Sequence, residues 1–255
     1  MGYLELMLMN GGTSVAVCDL VKPQDIVVKG LNEIEEMHDA EYYFKKGEEA
    51  EKQKQFNQAI NWYQKALQVD PGHEDALSYL GYCYLSENSH CGYTLDLYGL
   101  DKNTCSKRAV NCYEKLLGQI KAKREFGKSD SMYFNNLGAA YGNLDDKIKE
   151  EDGYLKAIQL DENNCIANNN MGVTCFYKGQ LDKAENYYNK AWISNKNYLK
   201  THFNFGRLYE EKKQYGKAIQ WFRSFLDKVD RTDMWEKEHI KQAVDAMDRM
   251  KKLVQ

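Results

Sequence analysis

Asn136-Leu137-Gly138, Asn170-Met171-Gly172 and Asn204-Phe205-Gly206 recur at a spacing of 34 residues between Ser131 and Thr232, and that recurrence decides the fold. Each triplet lies inside an aromatic or apolar stretch: Phe134 to Tyr141, Asn168 to Cys175, His202 to Tyr209. A second helical stretch follows each, with a small residue, Ala157, Ala191 or Ala218, where two helices must cross closely. A pair of helices of this size cannot bury its apolar face alone, so successive pairs must stack on one another. The expectation is an all-α solenoid. Only two prolines and 29% charged residues fit long amphipathic helices better than a sheet rich in turns.

The period and its signature resemble the tetratricopeptide repeat (TPR) family, whose units are helix-turn-helix pairs stacked into a right-handed superhelix. The resemblance divides the chain into an N-terminal extension at 1–38, an array at 39–232 and a capping helix at 233–255. Five repeats are expected, at about 40–73, 74–123, 131–164, 165–198 and 199–232. Asp70-Pro71-Gly72 ends the first, because proline cannot continue a helix. In the second repeat the pattern stalls after Tyr84 and resumes near Lys107, so an insertion of roughly 16 residues is expected, spanning about 86–104. Its Leu95, Leu97, Tyr98 and Leu100 are too apolar for a purely solvated loop; folding back over the repeat and meeting a partner are both open. After Leu116 the second helix should overrun toward Glu125. Repeat three carries Glu150 where its neighbours have alanine, and Gly153 within the same helix, so it should pack least tightly. The last helix places Trp235, Ile240, Val244, Met247 and Leu253 on one stripe.

The resemblance implies that the first helix of each pair lines a concave groove. Asn136, Asn170 and Asn204 then form a ladder along it, similar to the asparagine ladders of the O-linked N-acetylglucosamine transferase and of the peroxisomal targeting-signal receptor. An asparagine amide offers both a donor and an acceptor, so it can pair with a peptide unit of any sequence. The alignment can also arise from the chain's abundance of asparagine. Asn135 and Asn169 lie beside the ladder, and Lys200 and Arg207 add positive charge that could meet a carboxylate. The side chain of Asn170 is expected to face the groove and to contribute little to the fold. Against the two-carboxylate clamp of chaperone-binding TPR domains, Asn135, Ala139, Asn170, Lys200 and Asn204 match at two of five places. A heat-shock cochaperone is disfavoured.

The implied function is a noncatalytic adaptor that binds an extended peptide segment of another protein. The alternative is an architectural subunit held through its insertion, extension and convex face. No cofactor is expected. His90, Cys91 and Cys105 flank the insertion at irregular spacing and fall short of a metal motif, and His202 reads as a packed core residue. A net charge of −3 gives no global attraction for nucleic acid, and the cluster Lys121, Lys123, Arg124 and Lys128 is broken by Glu125. No run approaches the roughly 20 apolar residues of a membrane span, and Met1 to Asn10 lacks the basic lead-in of a signal peptide. Seven cysteines, mostly in helices, suit a reducing compartment, so the expected location is cytoplasmic.

Overall fold

A computed structural model describes residues 38–90, 102–229 and 234–254. Every regular element among them is a helix. Five helix pairs run along the chain: α1 (Ala40–Lys52) with α2 (Phe56–Val69), α3 (Glu74–His90) with α4 (Lys102–Lys123), α5 (Ser131–Asn143) with α6 (Lys147–Leu160), α7 (Cys165–Tyr177) with α8 (Leu181–Ser194), and α9 (Leu199–Glu211) with α10 (Tyr215–Leu226). A single helix, α11 (Met234–Val254), follows. Side chains start several of them: Asp39 accepts from the backbone N–H of Tyr42 at 2.8 Å, and Asn164 from that of Ala167 at 2.9 Å, satisfying donors that a helix start leaves orphaned. The turns within pairs share one device. Lys54, Asp145, Gly179 and Lys213, the fifteenth residues of repeats one, three, four and five, all have positive φ, from 57° to 71°.

Packing within a pair rests on the glycine at the eighth place of the first helix, which in repeats three to five is the glycine of the triplet. A Cβ added at Gly47, Gly172 or Gly206 would stand 2.3, 2.5 or 2.6 Å from the ring of Tyr63, Tyr188 or Phe222. The bare backbone lets each ring of a second helix lie flat on its first helix, and all three rings are buried. Alanines Ala59, Ala109, Ala184 and Ala218, fully buried, mark the closest approach of the paired helices. Neighbouring pairs are tied by tyrosine hydroxyls. That of Tyr209 donates to Glu185 at 2.6 Å, that of Tyr141 donates to Glu114, and that of Tyr84 accepts from Gln64 at 2.9 Å.

Repeat three corrects the expectation of a loose unit. Gly153 is buried and meets Gly138 backbone to backbone: a Cβ there would lie 2.7 Å from Gly138 Cα and 3.0 Å from the carbonyl oxygen of Phe134. Glu150 is accommodated by a second glycine, since a Cβ on Gly142 would stand 2.6 Å from its Oε1, and Lys147 pairs with its carboxylate at 3.2 Å. The close crossing has moved by one helical turn, from the alanine position to Gly153. The crossing is as tight as in the other repeats, with two backbones in contact instead of a ring on a backbone.

In repeat two the helices reach into the stretch assigned to the insertion: α3 continues to His90 and α4 begins at Lys102, before Lys107. Leu95, Leu97, Tyr98, Leu100 and Cys91 lie outside the described residues. The overrun of α4 ends at Lys123, and a 3₁₀ turn, Lys128–Asp130, leads into α5. Arg124 grips the buried Asp130 with two hydrogen bonds, 2.6 and 2.8 Å, while the backbone N–H of Gly127 donates to the same carboxylate at 2.7 Å. The guanidinium holds that carboxyl below its usual pKa. Three of the four residues of the basic cluster are engaged internally: besides Arg124, Lys123 pairs with Glu74 at 2.6 Å and Lys128 with Asp161 at 3.3 Å. In α11 the buried stripe is Ala243, Ala246, Met247 and Met250, packed on α10 and α9. Val244 and Leu253, expected on that stripe, are 41% and 65% exposed, because the helix turns the face of Ala243, Ala246, Met247 and Met250 toward α10 and α9. Trp235 lies outside the described side chains.

Candidate functional site

First helices touch first helices: α3 meets α5, α5 meets α7, α7 meets α9 and α9 meets α11. Phe44 of α1 joins the series through the ring of Tyr79 on α3, centres 5.3 Å apart, so the first helices form one continuous inner row. The expected site residues all lie on it. Their amides are engaged with one another. Asn170 Nδ2 donates to Asn135 Oδ1 at 3.0 Å, and Asn135 Nδ2 donates to Asn136 Oδ1 at 3.1 Å. Asn136 Nδ2 then donates to the hydroxyl of Tyr113 at 3.0 Å, which donates to the carbonyl of Ser78 at 3.2 Å. One repeat further along, Asn169 Oδ1 accepts from Asn204 Nδ2 at 3.0 Å and from the Thr201 hydroxyl at 3.2 Å.

This network corrects the expectation that the ladder stands clear of the packing. Asn135, Asn169 and Asn204 are buried, with 3%, 2% and 9% of their surface exposed, and they bridge successive repeats. Asn136 and Asn170 are half-buried. Asparagines repeat here because a buried amide on one first helix requires a partner on the next. Tyr113, fully buried and kept neutral by that burial, extends the chain of bonds into repeat two. Sequence does not reveal it as a partner, because it belongs to a second helix and faces Asn136 only through the stack.

The inner surface itself is apolar in its middle. Met132 and Ile166, the second residues of α5 and α7, are 50% and 43% exposed, and Tyr177 at the end of α7 is 71% exposed. Val173 and Phe176 lie half-buried between them. Arg207 stacks on this surface, its guanidinium 4.9 Å from the ring centre of Phe176 and 5.4 Å from that of Tyr177, whose hydroxyl it reaches only at 3.4 Å. Stacking of that kind preorganises the cation while keeping its N–H fork suited to a carboxylate. Lys200 is exposed at the start of α9, although the protein around its ammonium lowers the pKa by desolvation. The signal for these apolar residues is present in the sequence: Met132 and Ile166 stand 34 residues apart, like the asparagines.

His202 is a core residue. It is 2% exposed, with Nδ1 2.9 Å from the Ser224 hydroxyl and Nε2 2.7 Å from the carbonyl of Lys196, and burial lowers its pKa from 6.5. Cys83, Cys105, Cys112, Cys165 and Cys175 form no disulfide among the described residues, and burial pushes the Cys112 thiol up to about 12. No group of three potential metal ligands forms among the described residues, and no described helix is long and apolar enough to cross a membrane.

A stack of helix pairs that leaves one row of helices open to solvent is a protein-interaction scaffold. The chain carries tetratricopeptide repeats. One family model, described as tetratricopeptide repeat, matches residues 40–73, and a second of the same description matches 167–191 and 199–227. Solved structures with this fold include the MamA protein, at 22% identity and a TM-score of 0.53 over 74% of this chain and 91% of that one. PilF of Pseudomonas aeruginosa matches at 18% identity and a TM-score of 0.58, covering 83% and 88%. A thermophilic TPR protein of Thermus thermophilus matches at 14% identity and 0.61, covering 82% and 98%. At these identities the likeness concerns the fold.

Proposed function

We propose that the chain is a noncatalytic adaptor that binds an extended segment of another protein along the inner row of repeats three to five. The observation that carries the reading is the exposure of Met132, Ile166 and Tyr177 along helices whose cores are otherwise closed. Asn136 and Asn170 contribute hydrogen-bonding groups to a passing backbone, Asn135 holds those two in place, Asn169 and Asn204 tie repeat four to repeat five, and Lys200 and Arg207 receive an acidic group at one end. A second reading, an architectural subunit bound through the outer face, draws support from Ile148 and Ile193, which are 84% and 70% exposed on second helices. Selection from a random dodecapeptide library on the full chain tests both. Enrichment that is lost in Ile166→Asp and Tyr177→Ala but kept in Ile148→Asp supports the adaptor. Enrichment indifferent to Ile166→Asp and Tyr177→Ala overturns it, and loss in Ile148→Asp and Ile193→Asp then favours the outer face.

A further inference from the structure

The inner row is graded in charge along its length, and two parallel registers show the same grade. The second residues of α1, α3, α5, α7 and α9 are Glu41, Asp75, Met132, Ile166 and Lys200, all exposed. The ninth residues of the same helices are Glu48, Tyr82, Ala139, Val173 and Arg207, of which Tyr82 is exposed and the others half-buried. Both registers run from acidic, through apolar, to basic. At the acidic end, Glu48, Glu51 and Asp75 all act on the Tyr79 hydroxyl and, after desolvation, raise its pKa, so their charges share one region of the row. Among the described residues no lysine or arginine pairs with these three carboxylates, whereas Glu41 is shared between Lys45 at 3.3 Å and His73 at 3.6 Å. At the basic end, Glu210 is met by Arg249 at 3.0 Å, so it does not offset Arg207.

We infer that the partner is an extended segment with its charges segregated: basic residues over repeats one and two, apolar residues over three and four, and an acidic stretch or terminal carboxylate over repeat five. The inference rests on the adaptor reading and adds to it the partner's chemistry and its direction along the row. Neighbouring helices pack about 10 Å apart, so four steps cover roughly 40 Å, the length of about a dozen extended residues. Complementary charge at both ends selects one alignment, because sliding or inverting the segment brings like charges together. The apolar middle supplies contact that does not depend on charge screening.

The test uses fluorescently labelled 14-residue peptides of one composition, with lysines at one end, leucines and valines in the middle and glutamates at the other, or with the charges interspersed. Anisotropy titrations of the full chain at low salt should show the segregated peptide binding about tenfold more tightly, a difference of about 1.4 kcal/mol. Raising the salt to several hundred millimolar should erase most of that preference, since Glu41, Asp75 and Lys200 are exposed and Glu48 and Arg207 only half-buried. Replacing Lys200→Glu and Arg207→Glu together, with circular dichroism confirming an intact fold, should shift the preference to a peptide basic at both ends. A photo-crosslinker at the basic end should label α1 or α3, and one at the acidic end α9. Equal affinity for both peptides, with Ile166→Asp still weakening each, would overturn the grade and leave the adaptor standing. Absence of binding by either peptide, combined with a library selection that also fails, would overturn both.

Discussion

Replacing Gly153 with alanine tests the claim that repeat three is closely packed. The added methyl would lie 2.7 Å from Gly138 Cα, 2.8 Å from Gly138 N and 3.0 Å from the carbonyl oxygen of Phe134. Ordinary contact begins near 3.4 Å, so α5 and α6 must separate by several tenths of an ångström, and no side chain can rotate away because all three atoms are backbone. Overpacking of this kind costs about 1–3 kcal/mol, and three simultaneous backbone contacts put this case in the upper half of that range. Alanine's helix propensity returns about 1 kcal/mol. The net expectation is a loss of roughly 1–2 kcal/mol. Gly118→Ala supplies the control: that glycine sits exposed within α4 with nothing within 4 Å of an added Cβ, so it should gain about 0.5–1 kcal/mol from propensity alone. Urea unfolding followed by far-ultraviolet circular dichroism measures both, and hydrogen exchange over residues 146–158 locates the effect. A Gly153→Ala variant as stable as the parent, or exchange in that helix far faster than in α8 of the parent, would refute the backbone-to-backbone crossing.

Asn170→Ala should lower stability by about 1–2 kcal/mol, because Asn135 Oδ1 loses its donor, while the exposed Asn186→Ala and Asn189→Ala should be near neutral in the same urea titration. Tyr113→Phe should loosen the end of the asparagine network and speed amide exchange in α5 near Asn136, a change readable by mass spectrometry. His202 has its folded pKa lowered from 6.5, so the unfolded chain takes up a proton that the folded one resists. Its contribution is therefore complete above about pH 6.5 and declines as pH falls below it. The urea midpoint of the parent should drop more between about pH 7.5 and 5.5 than that of His202→Gln, and equal drops would contradict the burial argument. Lys54→Gly and Lys213→Gly should each raise stability by up to about 1 kcal/mol by relieving a positive φ, measured as a shift in thermal midpoint.

The fold is legible in the sequence because its strongest determinants are local and periodic. Gly138, Gly172 and Gly206 mark where a second helix must lie on bare backbone, and their 34-residue spacing carries through to the observed pairs. Repeat three misleads because its compensation is tertiary: Glu150 and Gly153 look disruptive along their own helix, and only the facing Gly142 and Gly138 make them fit. The asparagine positions are legible, whereas their mutual engagement is not. A column of amides at one interval reads equally as a surface waiting for a peptide or as a bond passing from repeat to repeat, and sequence carries no burial. Met132 and Ile166 beside them repeat at the same interval, but the exposure of these two and of Tyr177 does not show in the sequence, because apolar residues in a helical repeat ordinarily face the core.

The positive-φ turns have a consequence for how such a chain can grow. Each forces the chain back on itself within three residues, and at Lys54, Asp145 and Lys213 it does so against the preference of an L side chain. A longer connection at this point relieves the constraint while the helices on either side keep their partners. Repeat two is the natural example, since α3 and α4 still pack as a pair although their connection has been lengthened. The turn is therefore a splice site in the architectural sense. A foreign loop entered at Gly179 or Lys213 should be carried by the stack in the same way, which makes these hairpins the places to display an epitope or a second recognition element without disturbing the row of first helices.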